Sequence, residues 1–160
     1  MTINSTITAR GGILVAHDGS PAADGALQAA VRCSPAFGDR IEVVRAWTLA
    51  TAPALAFLEP DHVPSYEDFE EAVLTSLDRD VAAVRHDNPQ VAITASVVHG
   101  NAAEKLVEAS HHVEMIVVAS RGHGGFVGLM LGSVSDQVVH HSACRVLVER
   151  GPALAAGAPS

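Results

Sequence analysis

Residues 115–139 read MIVVASRGHGGFVGLMLGSVSDQVV. An apolar run with the length and branched side chains of a buried strand ends at Ala119, passes into a glycine-rich loop, and re-emerges at Ser133 as a helical segment with Asp136 three residues on. A strand, a glycine loop and a capped helix in that order form half of a βαβ unit, so this stretch predicts an α/β fold. It also suggests chemistry. Glycines at 122, 124, 125, 128 and 132 let backbone N–H groups approach a ligand closely, and the helix that follows presents its positive end, so phosphate is the expected guest. The competing reading of the same glycines is a plain turn. Two phosphate motifs are excluded. The P-loop needs a lysine directly after its second glycine, and the only lysine, Lys105, lies in another predicted helix. The dinucleotide fingerprint fails because Val127 stands where the third glycine after Gly122 and Gly124 belongs.

Working outward, Val- and Ile-rich runs predict strands over Gly12–Ala16, Ile41–Trp47, Val91–Val98, Met115–Ala119 and Arg145–Glu149, with helices between them. The first helix opens at Ser20 with Pro21 in its first turn and stops before Pro35. The second begins near Ser65, carries the stripe Tyr66, Phe69, Val73, Leu77, Val81 and Val84, and ends at Pro89. The third opens at Asn101 with Glu104 in capping-box relation, and the fourth repeats that pattern at Ser133 and Asp136. Residues 48–63 show no clean period and read as a long connection with a short helical piece at most. The ends, 1–9 and 151–160, read as flexible. Strands alternating with helices predict an open parallel sheet with helices on both faces, in one domain.

At the end of the first strand stands VAHDGSP, residues 15–21. A carboxylate there holds a nucleoside group or a phosphate-bound metal, or else makes an Asx-turn or helix cap; Asp18 is the candidate for either role. Asp18 meets the glycine loop only if the first and fourth strands are neighbours. In an open α/β sheet that adjacency is the switch point where ligands bind.

Composition narrows the function classes. With 160 residues, 48% of them hydrophobic, the chain buries a core unaided, and a net charge of -8 repels rather than gathers nucleic acid. No apolar run approaches the roughly 20 residues of a membrane span, and the start has no signal-peptide pattern. Cys33 and Cys144 lie in apolar segments and read as buried, reduced thiols, which together point to the cytoplasm. The acidic residues between Glu59 and Glu71 read as a solvated helix face. Among nine histidines, the pairs His111–His112 and His140–His141 are predicted on helices with rings about 100° apart, unable to share an ion, so no protein metal site is expected.

VAHDGSP near the start and ASRGHGGFVGLMLGSVS near the end together resemble the universal stress proteins over about residues 10–150. The family's nucleotide motif is Gly, two residues, Gly, nine residues, then Gly and Ser or Thr. Here Ala119 replaces the first glycine, Gly122 is the second, and Gly132 and Ser133 complete it. The resemblance implies a Rossmann-like sheet of strand order 3-2-1-4-5, a homodimer joined through the last strand, and bound ATP with Mg²⁺ carried by its phosphates. It further implies that Asp18 meets the nucleotide, that the Ala46 backbone meets adenine, and that Ala16 and Val134 make lesser contacts. Arg145 stands where the family often has proline. From the residues themselves, Arg121 and His123 in the loop are candidate phosphate contacts. The expected function is an ATP-binding stress-survival or regulatory module. The alternatives are a slow ATPase or nucleotide-transfer enzyme, for which the loop offers only Arg121 and His123, and a dimeric interaction protein whose site has decayed, for which Ala119 is the support.

Overall fold

A computed structural model describes residues 3–55, 59–122 and 131–150. Their elements are β1 (Ile13–Ala16), α1 (Pro21–Cys33), a 3₁₀ turn (Ser34–Phe37), β2 (Arg40–Trp47), α2 (Tyr66–Asp87), β3 (Ala92–His99), α3 (Ala102–Ala109), β4 (Met115–Ala119), α4 (Ser133–His141) and β5 (Arg145–Glu149). The strands form one parallel sheet ordered β3-β2-β1-β4-β5. Sequence and resemblance anticipated this architecture, with strand ends displaced by at most one residue.

Both faces of the sheet are buried, which is why its strands read as near-continuous apolar runs. Alternate side chains still divide between two cores. Ile13, Val15, Ile41, Val43, Met115 and Val117 pack with Leu27 of α1 and Leu77 and Val81 of α2. Leu14, Val44, Ile116 and Val118 pack on the other face with Leu106 of α3 and Val138 of α4. Leu14 and Ile116 are fully buried, each stabilising the fold by about 1.5–3 kcal/mol on transfer grounds. Ile7 and Ala9 are buried in the second core, and the Asn4 carbonyl accepts from the His99 N–H, so residues 3–9 lie against the sheet rather than forming a flexible end.

Three helix starts follow the sequence. Ser20 Oγ accepts from the Ala23 N–H, Ser65 and Asp68 form a reciprocal capping box, and Asn101 Oδ1 accepts from the Glu104 N–H. The fourth differs. Gly132 is the N-cap, Ser133 is the first helical residue, and among the described residues no side chain caps α4.

Other expectations are corrected by tertiary packing. In the α2 stripe Val73, Leu77, Val81 and Val84 are buried, but Tyr66 is exposed and its ring lies beside Trp47 and His99. His111 and His112 fall in the turn after α3, not on a helix. Cys33 and Cys144 are half-buried free thiols; burial raises the Cys144 pKa. The 48–63 connection shows turns without a helix among its described residues. Arg145 places its guanidinium over the Phe37 ring at 5.9 Å, a contact proline could not make. The expected mobile tail, 151–160, lies outside the described residues. No helix among those residues is long and apolar enough to cross a membrane.

Candidate functional site

β1 lies between β2 and β4, so the chain leaves β1 and β4 toward helices on opposite faces and opens a crevice at their carboxyl ends. The turn out of β1 is His17, Asp18, Gly19, Ser20. Gly19 has φ +86°, the left-handed region a side chain resists. Asp18 Oδ1 accepts from both the N–H (3.0 Å) and the hydroxyl of Ser20, and the Ser20 hydroxyl in turn caps α1. Asp18 therefore does make an Asx-turn, but with one oxygen. Its Oδ2 lies where a Cβ on residue 122 would stand, far inside van der Waals contact. Glycine at 122 thus lets the β4 loop close over the Asp18 carboxylate.

His17 is the residue that sequence reasoning missed. Its side chain is buried, and its Nδ1 faces the Gly19 N–H at 3.2 Å and Arg45 Nη2 at 2.9 Å. Both neighbours can only donate, so Nδ1 accepts and the ring proton sits on Nε2, which donates to Asp24 Oδ1 at 3.0 Å. Burial holds the His17 pKa below the ordinary imidazole range; the hydrogen bond to Asp24 opposes that, and the Arg45 charge reinforces it. At neutral pH the ring is uncharged with both nitrogens engaged. A histidine next to a motif aspartate looks like a titrating loop residue until its neighbours in space are known.

At the other wall the Ser120 carbonyl ties β4 to α4, accepting from the Gly132 N–H at 2.6 Å and from Ser135 Oγ at 3.2 Å. Between the walls lies a cavity of 120 Å³. Of the predicted site residues, Ala16, Asp18, Ala46, Ala119, Arg121, Gly122 and Val134 line it together. Gly132 and Ser133 stand at the adjoining start of α4, and His123 lies outside the described residues. Val44, Val98 and Leu106 supply apolar walls suited to a flat ring. Lys105, the only lysine, also lines the cavity with its side chain 17% exposed and its Nζ 3.6 Å from Glu108. Its spacing on α3 gave no hint of this, because the approach of α3 to β2 is a tertiary fact. Among the described residues no cluster of three metal-ligating side chains occurs.

These features define a doubly wound α/β protein with a crevice at the sheet's switch point. Residues 11–150 match the universal stress protein family, and the chain belongs to that family. A universal stress protein of Mycobacterium tuberculosis is 33% identical over 138 residues, covering 86% of this chain and 45% of the relative. One of Mycolicibacterium smegmatis is 29% identical over 139 residues, with 86% and 45% coverage. The chain thus spans less than half the length of these relatives. Among solved structures, a universal stress protein in complex with cAMP superposes with TM-score 0.61 at 20% identity, covering 89% of this chain and 98% of that one. A universal stress protein family member of Arabidopsis thaliana with AMP bound superposes with TM-score 0.58 at 17% identity, covering 91% and 94%.

Proposed function

We propose that this chain is an ATP-binding universal stress module that acts through its nucleotide-bound state and its partners rather than by rapid turnover. The observation that supports it best is the convergence on one crevice of seven predicted residues from β1, β2, β4, α4 and the turns after β1 and β4. The apolar half of the crevice suits adenine, and the start of α4, which no described side chain caps, suits phosphate. The relatives solved with cAMP and with AMP support the adenine-nucleotide class. Asp18 Oδ2 beside Gly122 and the cation Arg121 fit a phosphate-bound Mg²⁺ arriving with its nucleotide. Turnover has little support, since His17, the buried histidine at the crevice, has neither nitrogen free to act as a base.

Ala119 does not argue for a decayed site. It is the last residue of β4, paired with Glu149, and its φ is not positive, so alanine suits its backbone as well as glycine. The test is the nucleotide retained by purified protein, released by heat and identified by mass. ATP is expected; ADP accompanied by steady hydrolysis would favour the enzyme, and an empty protein that takes up no Mg·ATP would refute the reading.

A homodimer through β5 and a cytoplasmic location belong to the same proposal. β5 has a sheet neighbour on one side only, with Val146 and Val148 half-buried in the single chain. Both cysteines are free, as a reducing compartment keeps them. Sedimentation should show a dimer, and Val146→Lys with Val148→Lys should give folded monomers; a monomeric parent would refute the assembly. Recovery outside the cytoplasm on cell fractionation would refute the location.

A further inference from the structure

The turn carrying Asp18 is held from β2 by one side chain. Arg45 lies on the α1/α2 face of the sheet with its side chain 11% exposed. Its Nε donates to the His17 carbonyl at 2.9 Å, and Nη2 donates to His17 Nδ1 at 2.9 Å and to Asp80 Oδ2 at 2.7 Å. Its Nη1 donates to Ser76 Oγ at 3.2 Å. The guanidinium thus grips the backbone and the ring of the residue before Asp18, and is itself anchored to two residues one turn apart on α2. The residues on either side of His17, and Ala46 next to Arg45, all line the nucleotide crevice. A second cavity, lined by Arg45, Trp47, Ser76 and Asp80, shares Asp18, Ala46 and Ala102 with the first. The clamp therefore stands directly behind the crevice.

We propose that Arg45 is a positioning residue of the nucleotide site: it sets the β1–α1 turn so that Asp18 meets the ligand, and it couples α2 to nucleotide affinity. This rests on the nucleotide reading above. A planar fork with donors on three nitrogens makes these contacts at once, whereas a lysine ammonium, a point donor on a flexible stem, cannot span the His17 carbonyl, His17 Nδ1 and Ser76 together. The charges facing His17 are Asp24 on α1, Arg45 on β2 and Asp80 on α2. Removing the cation that donates to Nδ1 lets the imidazole take up a proton at higher pH.

The experiment compares the parent with Arg45→Met and Arg45→Lys. Mg·ATP affinity is measured by calorimetry, the His17 titration by imidazole NMR, and folding by circular dichroism. Both variants should bind at least tenfold more weakly with unchanged secondary structure, and His17 in Arg45→Met should titrate at higher pH than in the parent. Should Arg45→Met fail to fold, Ser76→Ala with Asp80→Asn keeps the guanidinium but frees it from α2, and is expected to weaken binding at least threefold. Parent-like Mg·ATP affinity in a folded Arg45→Met, or in the double variant where that one is used, overturns the proposal. If the parent takes up no Mg·ATP, the nucleotide reading falls separately. The clamp is then judged on His17 and on the amide shifts of residues 18–20, and parent-like values in the folded variant overturn it.

Discussion

The two walls of the crevice hold their shape by different means. At the β1–α1 turn, side chains set the geometry: Asp18 bonds Ser20, Ser20 caps α1, and Arg45 grips His17. Between Ser120 and the start of α4, the described contacts centre on the Ser120 carbonyl, which accepts from the Gly132 N–H and the Ser135 hydroxyl, and among the described residues no side chain caps α4. The polar groups of the β1–α1 turn largely satisfy one another, with Asp18 Oδ1 bonding Ser20 and Arg45 bonding His17. A helix start with no side-chain cap keeps its N–H groups and positive end for an outside anion. On the proposed nucleotide reading, the first wall is the fixed reference and the second is where a phosphate would sit.

The largest effect that would break this contrast is expected at Gly132. A Cβ there meets the Ser120 carbonyl oxygen at 3.4 Å, an ordinary contact, so the chain should still fold. In Gly132→Asp the carboxylate occupies the phosphate position at the α4 start, and Mg·ATP affinity should fall at least a hundredfold by calorimetry. Unchanged affinity with an unchanged circular dichroism spectrum would show that α4 does not receive phosphate. A smaller loss, about tenfold, is expected for Gly122→Ala, because its Cβ displaces Asp18 Oδ2 and joins the two walls sterically. Affinity equal to the parent would mean that Asp18 is free to move and that the first wall is not rigid.

The rigid wall also makes a pH prediction. Burial lowers the folded-state pKa of His17 below its ordinary value of 6.5, so below that pH the unfolded chain binds a proton that the folded chain refuses. Stability should therefore decline as pH falls from 6.5 toward the folded pKa, and His17→Gln should flatten that part of a denaturation-against-pH curve. Parallel curves for the two proteins would contradict a neutral buried His17. Asp68 contributes at lower pH: its hydrogen bond with His62, then those with Ser65, hold its pKa at about 2, so its contribution is present above 3.8 and lost as pH falls toward 2. The smallest effect is expected at Ala119→Gly, since β4 is extended there. ATP affinity should rise less than threefold, under ~0.7 kcal/mol. A hundredfold gain would show that the motif glycine is needed and that this chain's site is impaired.

Most of the fold was readable because its determinants are local. Branched apolar runs specify buried strands, and Ser20, Ser65 and Asn101 state where helices begin. Gly132 rather than Ser133 caps α4 because the Ser120 carbonyl holds the Gly132 N–H, a contact that begins in another element. Tyr66 carries the stripe to its exposed end, where its ring lies beside Trp47 and His99. Residues 3–9, expected to be flexible, gained their place from Ile7 and Ala9 packing into the core under α3 and α4.

For the site the division is similar. Composition and spacing by themselves determined the α/β class and marked the glycine loop and Asp18 as candidates, since each is written in consecutive residues. That Ala16, Asp18, Ala46, Ala119, Arg121, Gly122 and Val134 share one crevice was decided by strand order, which places β4 beside β1. The neutral, doubly bonded His17, the Arg45 clamp and the entry of Lys105 were likewise decided only by tertiary structure. A hydrogen bond to a partner 28 residues away, as between Arg45 and His17, leaves no period in the sequence: packing selects it, and local propensity does not.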